Sequence, residues 1–304
     1  MEYEPIIVRY GEIALKGKAT RKHFENILVR NIKKALNTKQ ISYRIKKEWG
    51  RIYVYTNQIN DSIPILQKVF GITTISPAVQ TQSNMDSISV LALIISKEKL
   101  TREKSFAVRV TRTGKHEFTS QDVAVKIGSD IVKLTKSRVN LTKPDFELFI
   151  EIRNENAFVF TKKIRGTGGL PLGTQGKVLC LVEDHKSILA GWYLMRRGCK
   201  ITFINVNKTN NELFGSFISN WNIDADIVSI AIRSKNLYKT LSKIASEKNC
   251  DAIVTGYTLY DASSNCLSNI KLLKKYTKIP VLLPLIAMDE KTINKKSREI
   301  GLKP

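Results

Sequence analysis

Acidic side chains are scarce in this chain, and so are the residues that usually hold metals. Only 27 Asp and Glu stand against 50 Lys and Arg, a formal charge of +23 over 304 residues. Histidine occurs three times, as His23, His116 and His185. The four cysteines (Cys180, Cys199, Cys250, Cys266) lie far apart with no Cys-x-x-Cys spacing. This argues against a zinc site and predicts buried thiols in a reducing cytoplasm. No apolar run approaches the ~20 residues of a membrane helix, and the N-terminus shows no apolar signal-peptide core. A cytoplasmic protein without a membrane partner is therefore expected. Tandem repeats and low-complexity tracts are also absent.

The cations that remain are spread along folded-looking sequence. Residues 1–165 hold 30 basic and 16 acidic side chains, and residues 166–304 hold 20 and 11. Two readings follow: a solvated Lys-rich surface, or a polyanionic partner, most simply nucleic acid. A hydrophobic fraction of 42% over this length suits two or three globular domains.

Periodicity divides the chain. "PIIVRY" reads as a strand, and Thr20 is placed to cap a helix from Arg21 to about Leu36 with Phe24, Ile27, Leu28, Ile32 and Ala35 inward. "ISYRIKK" and "RIYVYT" alternate like a hairpin around "EWG". From about Asn60 come helical "DSIPILQKVF", strand "ITTISPAV", helical "MDSISVLALIISKE" and strand "SFAVRVTR". A helix with Val123, Ile127, Ile131 and Leu134 on one face follows, then a hairpin of "FELFIEI" and "AFVFTKKI". "RGTGGLPLGTQGK" (165–177) is the clearest linker. Beyond it, strands at 178–183, 199–206, 225–231, 251–255 and 280–284 alternate with helices, which argues for a parallel sheet. The expected division is 1–59, 60–164, linker 165–177 and 178–304.

The strand-to-helix corner at 182–187 is the most informative point. In α/β proteins such a junction holds phosphate on unpaired backbone N–H groups. Here it reads Glu183-Asp184-His185-Lys186-Ser187, with no glycine.

"IIVRYGEIALKGKATRKHFENILVRNIKKAL" closely resembles the opening of the tRNA 4-thiouridine sulfurtransferases, a family also linked to thiamine biosynthesis. "FAVRVTRTGKHEFTSQDVAVKIGSDI" resembles that family's RNA-binding THUMP domain, which helps to hold the tRNA acceptor end. "RGTGGLPLGTQGKVLCL", "YLMRRG", "DAIVTGYTLYDASSNCLSNI" and "VLLPLIAMDEKTINKKSREIGL" look like parts of its PP-loop ATP pyrophosphatase domain. The matches span nearly the whole chain in order. The resemblance implies an α/β and α+β protein: a small ferredoxin-like domain, a THUMP domain, and a C-terminal parallel-sheet PP-loop (adenine nucleotide α hydrolase-like) domain.

The departures from the family pattern are concentrated in its chemistry. An active PP-loop reads SGGxDS; here Ser187 aligns with the final serine, and Glu183 to Lys186 replace the rest in one residue fewer. Two carboxylates would repel a triphosphate by ~1 kcal/mol or more per close pair, yet they suit a helix start by ~0.3–1 kcal/mol each. The family's GESLGQVxSQT becomes Gly256 to Cys266 with most polar positions changed, and the arginine of its Arg-Pro-Leu is Leu283. The implied degenerate nucleotide site is Leu181, Val182, Glu183, Asp184, His185, Lys186, Ser187, Asn205, Val206, Gly256 and Asn265. The family's sulfur-relay cysteine lies beyond Pro304, and Cys266 is expected to pack a helix.

Candidate RNA-binding residues are Arg9, Lys16, Lys18, Arg21, Lys22, Arg109, Arg112, Lys115 and Arg165, each alone an ordinary surface cation. Lys16, Lys18, Arg21 and Lys22 crowd one loop-to-helix junction and suit phosphate positioning. Arg109 alternates with Val108 and Val110 and should point off the core. Tyr10, Trp49 and Tyr53 are expected in the core, and His23 and His116 on the surface.

Three functions compete: a tRNA-binding protein without its own adenylation and sulfur transfer; an active ATP-dependent tRNA sulfurtransferase with an atypical loop; and changed chemistry at His185 and Asp184. The first expects no cofactor and no metal, the second ATP and magnesium. Expected partners are tRNA, a separate tRNA-modifying enzyme and a second copy in a homodimer.

Overall fold

The computed structural model describes residues 4–206, 211–223, 225–230, 237–260 and 266–304. The strands, in chain order, are β1 (Glu4–Tyr10), β2 (Arg44–Glu48), β3 (Arg51–Thr56), β4 (Ile72–Pro77), β5 (Val79–Gln82), β6 (Ser105–Thr113), β7 (Arg138–Val139) and β8 (Phe146–Arg153). They continue with β9 (Asn156–Phe160), β10 (Ile164–Arg165), β11 (Gln175–Val182), β12 (Cys199–Val206), β13 (Asp226–Ile230), β14 (Ala252–Val254) and β15 (Val281–Leu282). The helices are α1 (Lys18–Thr38), α2 (Ile59–Gln67), α3 (Met85–Lys99), α4 (Ser120–Thr135) and α5 (His185–Arg196). α6 (Asn211–Trp221), α7 (Leu237–Glu247), α8 (Cys266–Tyr276) and α9 (Glu290–Glu299) complete the set. None is long and apolar enough to cross a membrane among the described residues. The chain forms two compact units.

The first unit comprises the chain up to Arg9, Ile41–Ile63 and Thr74–Arg165. One sheet runs β10-β4-β1-β3-β2 and the other β5-β9-β8-β6-β7. In the second sheet β6 is parallel to both β7 and β8, while β9 is antiparallel to β8 and β5. α3 and α4 cover one of its faces: Ile88, Ala92, Val123, Ile127 and Ile131 pack with Phe106, Leu148, Ile150 and Ile152. Asn84 caps α3 through the Ser87 N–H, and Thr119 with Asp122 forms a complete capping box on α4. The other face meets the first sheet through an aromatic cluster of Tyr53, Tyr55, Phe149, Phe158 and Phe160. Tyr53 and Phe158 stack at 4.7 Å between ring centroids. β8 is therefore buried on both faces, and Glu151 within it is enclosed. Its carboxylate binds Arg9 Nη2 at 2.9 Å, Arg51 Nε at 2.7 Å and Arg153 Nε at 3.2 Å.

The second unit comprises Tyr10–Gln40, Pro64–Thr73 and the chain from Gly166. Its sheet, β13-β12-β11-β14-β15, is parallel throughout. Side chains alternate along the central strand: Val178, Cys180 and Val182 join the cluster of α5, α6 and α9, and Leu179 and Leu181 join that of α7 and α8. Two-sided burial is why "VLCLV" is an unbroken apolar run.

Several expectations need correction. "ITTISPAV" is not one strand: β4 is hydrogen-bonded in the first sheet and β5 in the second, so a boundary at residue 59 cuts the first sheet from its own strand. Arg165 belongs to β10, and the glycines after it are pinned to their unit: a Cβ at Gly169 (φ +76°) would lie 2.0 Å from the Arg196 carbonyl oxygen. α1 starts at Lys18 behind Gly17, not behind Thr20. Leu134 is 46% exposed, because the inward stripe of α4 ends at Ile131. Trp49 is 70% exposed at the β2–β3 turn, whereas Tyr10 and Tyr53 are core residues as expected.

Glu151 gives the first prediction. Burial alone would raise its pKa, but the arginines more than reverse this and hold it below the usual carboxylate range. Its contribution is therefore present above the unfolded-state pKa and lost as pH falls through the folded one. Glu151→Ala should cost about 3–5 kcal/mol in urea unfolding at neutral pH, the usual loss when one partner of a buried pair is removed, and less in acid.

Candidate nucleotide corner and nucleic-acid interface

β11 lies between β12 and β14, where the strand order reverses, and the crevice beyond its carboxyl end is the usual ligand position in such sheets. The start of α5 stands there. Asp184 is its N-cap: Oδ1 accepts from the Ser187 N–H and the Ser187 hydroxyl, both at 3.0 Å. The Ser187 hydroxyl oxygen accepts from the Glu183 N–H at 3.2 Å. The buried Cys180 thiol donates to the Ser187 carbonyl at 3.3 Å. Gly256 closes the corner, for a Cβ there would lie 2.5 Å from the Ser187 nitrogen. An amide that could face a phosphate is thus satisfied internally by a carboxylate.

The electrostatics point the same way. Although Glu183 is exposed overall, desolvation of its carboxyl and then Asp184 raise its pKa, with Lys186 opposing. Burial and then Glu183 push the Tyr257 phenol up as well. Lys186 Nζ sits 3.6 Å from Asp184 Oδ2, a single cation among two carboxylates. Leu181 and Val182 are buried; Asn205 is buried at the end of β12, with Val206 half-buried beside it. His185 is half-buried and its Nε2 meets no hydrogen-bond partner among the described residues. No cluster of three His, Cys, Asp or Glu suited to a metal exists among them. Asn265 lies outside the described residues. Tyr257 and Cys180 are corner residues that motif reasoning missed, since spacing does not mark a side chain arriving from the segment after β14 or from within β11.

The cations separate into two groups. Lys16, Lys18 and Lys22 are exposed and Arg21 half-buried at the start of α1, which has no side-chain cap and no acidic residue in its first turn. Lys115 and Arg165 are exposed too. Arg9 is not a free surface cation: half-buried, it is paired with Glu151, donates to Ser76 Oγ at 2.9 Å and lies over the Phe160 ring. Arg109 points off the core as expected, but is bound to Glu147 at 3.0 Å and to the Leu141 carbonyl. Val108 and Val110 beside it are only partly buried. Arg112 donates to the Gly114 carbonyl and meets His116 Nδ1. Glu151 and Glu147 were the missed partners.

Comparison with known proteins places this architecture. The chain matches the ThiI ferredoxin-like domain over residues 5–76, the THUMP domain over 82–162, and the thiamine biosynthesis protein (ThiI) family over 214–303. A tRNA sulfurtransferase of Pyrobaculum aerophilum is 35% identical over 98% of the chain and 67% of its own length. A protein of Methanobrevibacter smithii described as a probable tRNA sulfurtransferase is 32% identical over 99% and 87%. The chain belongs to the tRNA sulfurtransferase family. Among solved structures, a Pyrococcus horikoshii protein superposes with a TM-score of 0.85 at 31% identity, covering 99% of this chain and 100% of its own. A 4-thiouridine synthetase, solved as an RNA complex with bound ATP, gives 0.84 at 28%, covering 99% and 85%. This family member therefore has a ferredoxin-like N-terminal domain, a THUMP domain and a C-terminal parallel sheet. The C-terminal family match begins downstream of the β11–α5 corner.

Two substitutions test the corner. Asp184→Ala should lower stability by about 1 kcal/mol through loss of the cap. Glu183→Gln should act oppositely. A carboxyl with a raised folded pKa weakens the fold once pH exceeds its unfolded value, so the variant should melt higher than the parent at pH 7 and equally in strong acid.

Proposed function

We propose that this chain is a tRNA-binding member of its family that does not carry out adenylation or sulfur transfer at its own corner. The carrying observation is a contrast between two helix starts in one unit. α5, where a triphosphate would be gripped, is capped by Asp184, with Glu183 adjacent. α1 has a glycine cap and carries Lys18, Arg21 and Lys22 in and beside its first turn. Cations at the positive end of a helix dipole are destabilising in isolation, whereas an anion there is favoured by ~0.3–1 kcal/mol. The other capped helices follow the rule, with Asp86, Asp122 and Glu290 in the first turns of α3, α4 and α9. α1 departs from it in the way a phosphate-binding helix would.

The residues at the β11–α5 corner do not fit ATP and magnesium. Glycines that would let backbone wrap a pyrophosphate are missing, and Gly256 is already in close approach to Ser187. We therefore assign no chemical step to that corner. The exposed cations of α1 supply phosphate contacts that orient a tRNA without reading its bases. A second reading, an active ATP-dependent tRNA sulfurtransferase with an atypical loop, is favoured by the RNA- and ATP-bound relative. In either case the protein acts in tRNA modification, the first by presenting tRNA to a separate enzyme.

Calorimetric titration of the pure protein with ATP and magnesium separates these readings. No tRNA adenylation is expected, nor any ATP heat that Lys186→Glu at the corner removes; micromolar binding abolished by that variant would establish the second reading. Affinity for tRNA should fall steeply with salt. Lys16→Glu, Lys18→Glu and Arg21→Glu combined should weaken all tRNAs alike and flatten the salt slope by about 1 for each phosphate no longer neutralised. An unchanged affinity would move the interface elsewhere.

A further inference from the structure

A second cationic recess lies in the C-terminal unit, at the opposite end of its parallel sheet from the nucleotide corner. Lys177, Lys200 and Asp226 stand near the starts of β11, β12 and β13, whereas the corner is at the carboxyl end of β11. The cleft encloses about 410 Å³, within the range of small-ligand sites. Arg30 and Lys34, one turn apart on α1, and Lys68 after α2 bring the cations lining it to five, against Asp226 alone among the described residues. That carboxylate is committed to Lys177 at 2.9 Å.

Most of the remaining wall is apolar. Val69, Phe70, Leu172, Trp221 and Ile223 line it. Phe70 and Trp221 stack at 5.5 Å, and the indole N–H is tied to the Ile300 carbonyl at 2.8 Å, which fixes the ring in place. Asn31, which also lines the cleft, is anchored to the Leu172 carbonyl at 3.0 Å. The recess thus combines a held aromatic wall with a ring of like charges. Lys68 donates to the Asn220 side-chain carbonyl, and burial with nearby Lys39 lowers its pKa.

We propose that this cleft binds a nucleotide, its phosphate among Arg30, Lys34, Lys68 and Lys200 and its base against the Trp221 wall. Multiple cations demand a group that can accept several charge-assisted hydrogen bonds, which phosphate does. A rigid aromatic surface beside them selects a planar, stackable partner over inorganic phosphate. The nucleotide is either free or one residue of an RNA strand. The inference does not depend on the state of the β11–α5 corner.

The test uses AMP and a short oligouridylate, with tryptophan fluorescence and calorimetry as readouts. Arg30 and Lys200 are exposed, so Arg30→Gln with Lys200→Gln should leave the melting curve unchanged while weakening binding about tenfold. Lys16→Gln with Lys18→Gln, which removes equal charge elsewhere, should retain AMP affinity. AMP binding that depends on the cleft identifies a free nucleotide; cleft-dependent binding of oligouridylate alone identifies a strand residue. The proposal is overturned if neither probe binds, if binding survives the cleft variant, or if both double variants weaken it equally.

Discussion

The first turn of a helix leaves N–H groups that the helix itself cannot satisfy, and how each is satisfied organises this protein. At α5 the acceptor is internal. Asp184 takes the Ser187 amide and hydroxyl, the hydroxyl oxygen takes the Glu183 amide, and Gly256 permits backbone to approach the same atoms. The corner is closed by groups that are close in sequence, apart from one glycine contributed by the segment after β14. At α1 no side chain performs that role, and Lys18, Arg21 and Lys22 lie in and beside the first turn with no acidic residue among them. Two helix starts in one unit have opposite electrostatic characters, and the functional reading follows from which of them can accept phosphate.

A different constraint shapes the first unit. Its second sheet is covered on one face by α3 and α4 and on the other by the aromatic cluster shared with the first sheet. Double coverage leaves little room for charge, and the enclosed Glu151 is sustained by three guanidinium groups. This withdraws Arg9 from the surface. A high cation count is therefore not the same as a high count of available cations: Arg109 and Arg112 are likewise engaged by neighbours, while Lys16, Lys18, Lys22 and Lys115 are exposed.

The family resemblance carried by "RYGEIALKGKATR" and the later motifs is confirmed by relatives that match nearly the whole chain. At the β11–α5 corner the structure shows a self-capped helix start with two carboxylates. The cationic cleft was invisible in sequence because its cations come from α1, the end of α2 and two strands, at positions 30, 34, 68, 177 and 200.

By itself the sequence determined the parallel C-terminal sheet, the α3–α4 helices and the charged character of the corner, because each is written in neighbouring residues: unbroken apolar runs, helical spacing, and the string Glu-Asp-His-Lys-Ser. Tertiary structure alone decided that β4 pairs away from β5, that Glu151 captures Arg9, and that Trp49 is exposed while Tyr53 is buried. Periodicity reports which face of an element is apolar. It carries no record of which distant element meets that face, and burial, pairing and pKa are set by that meeting.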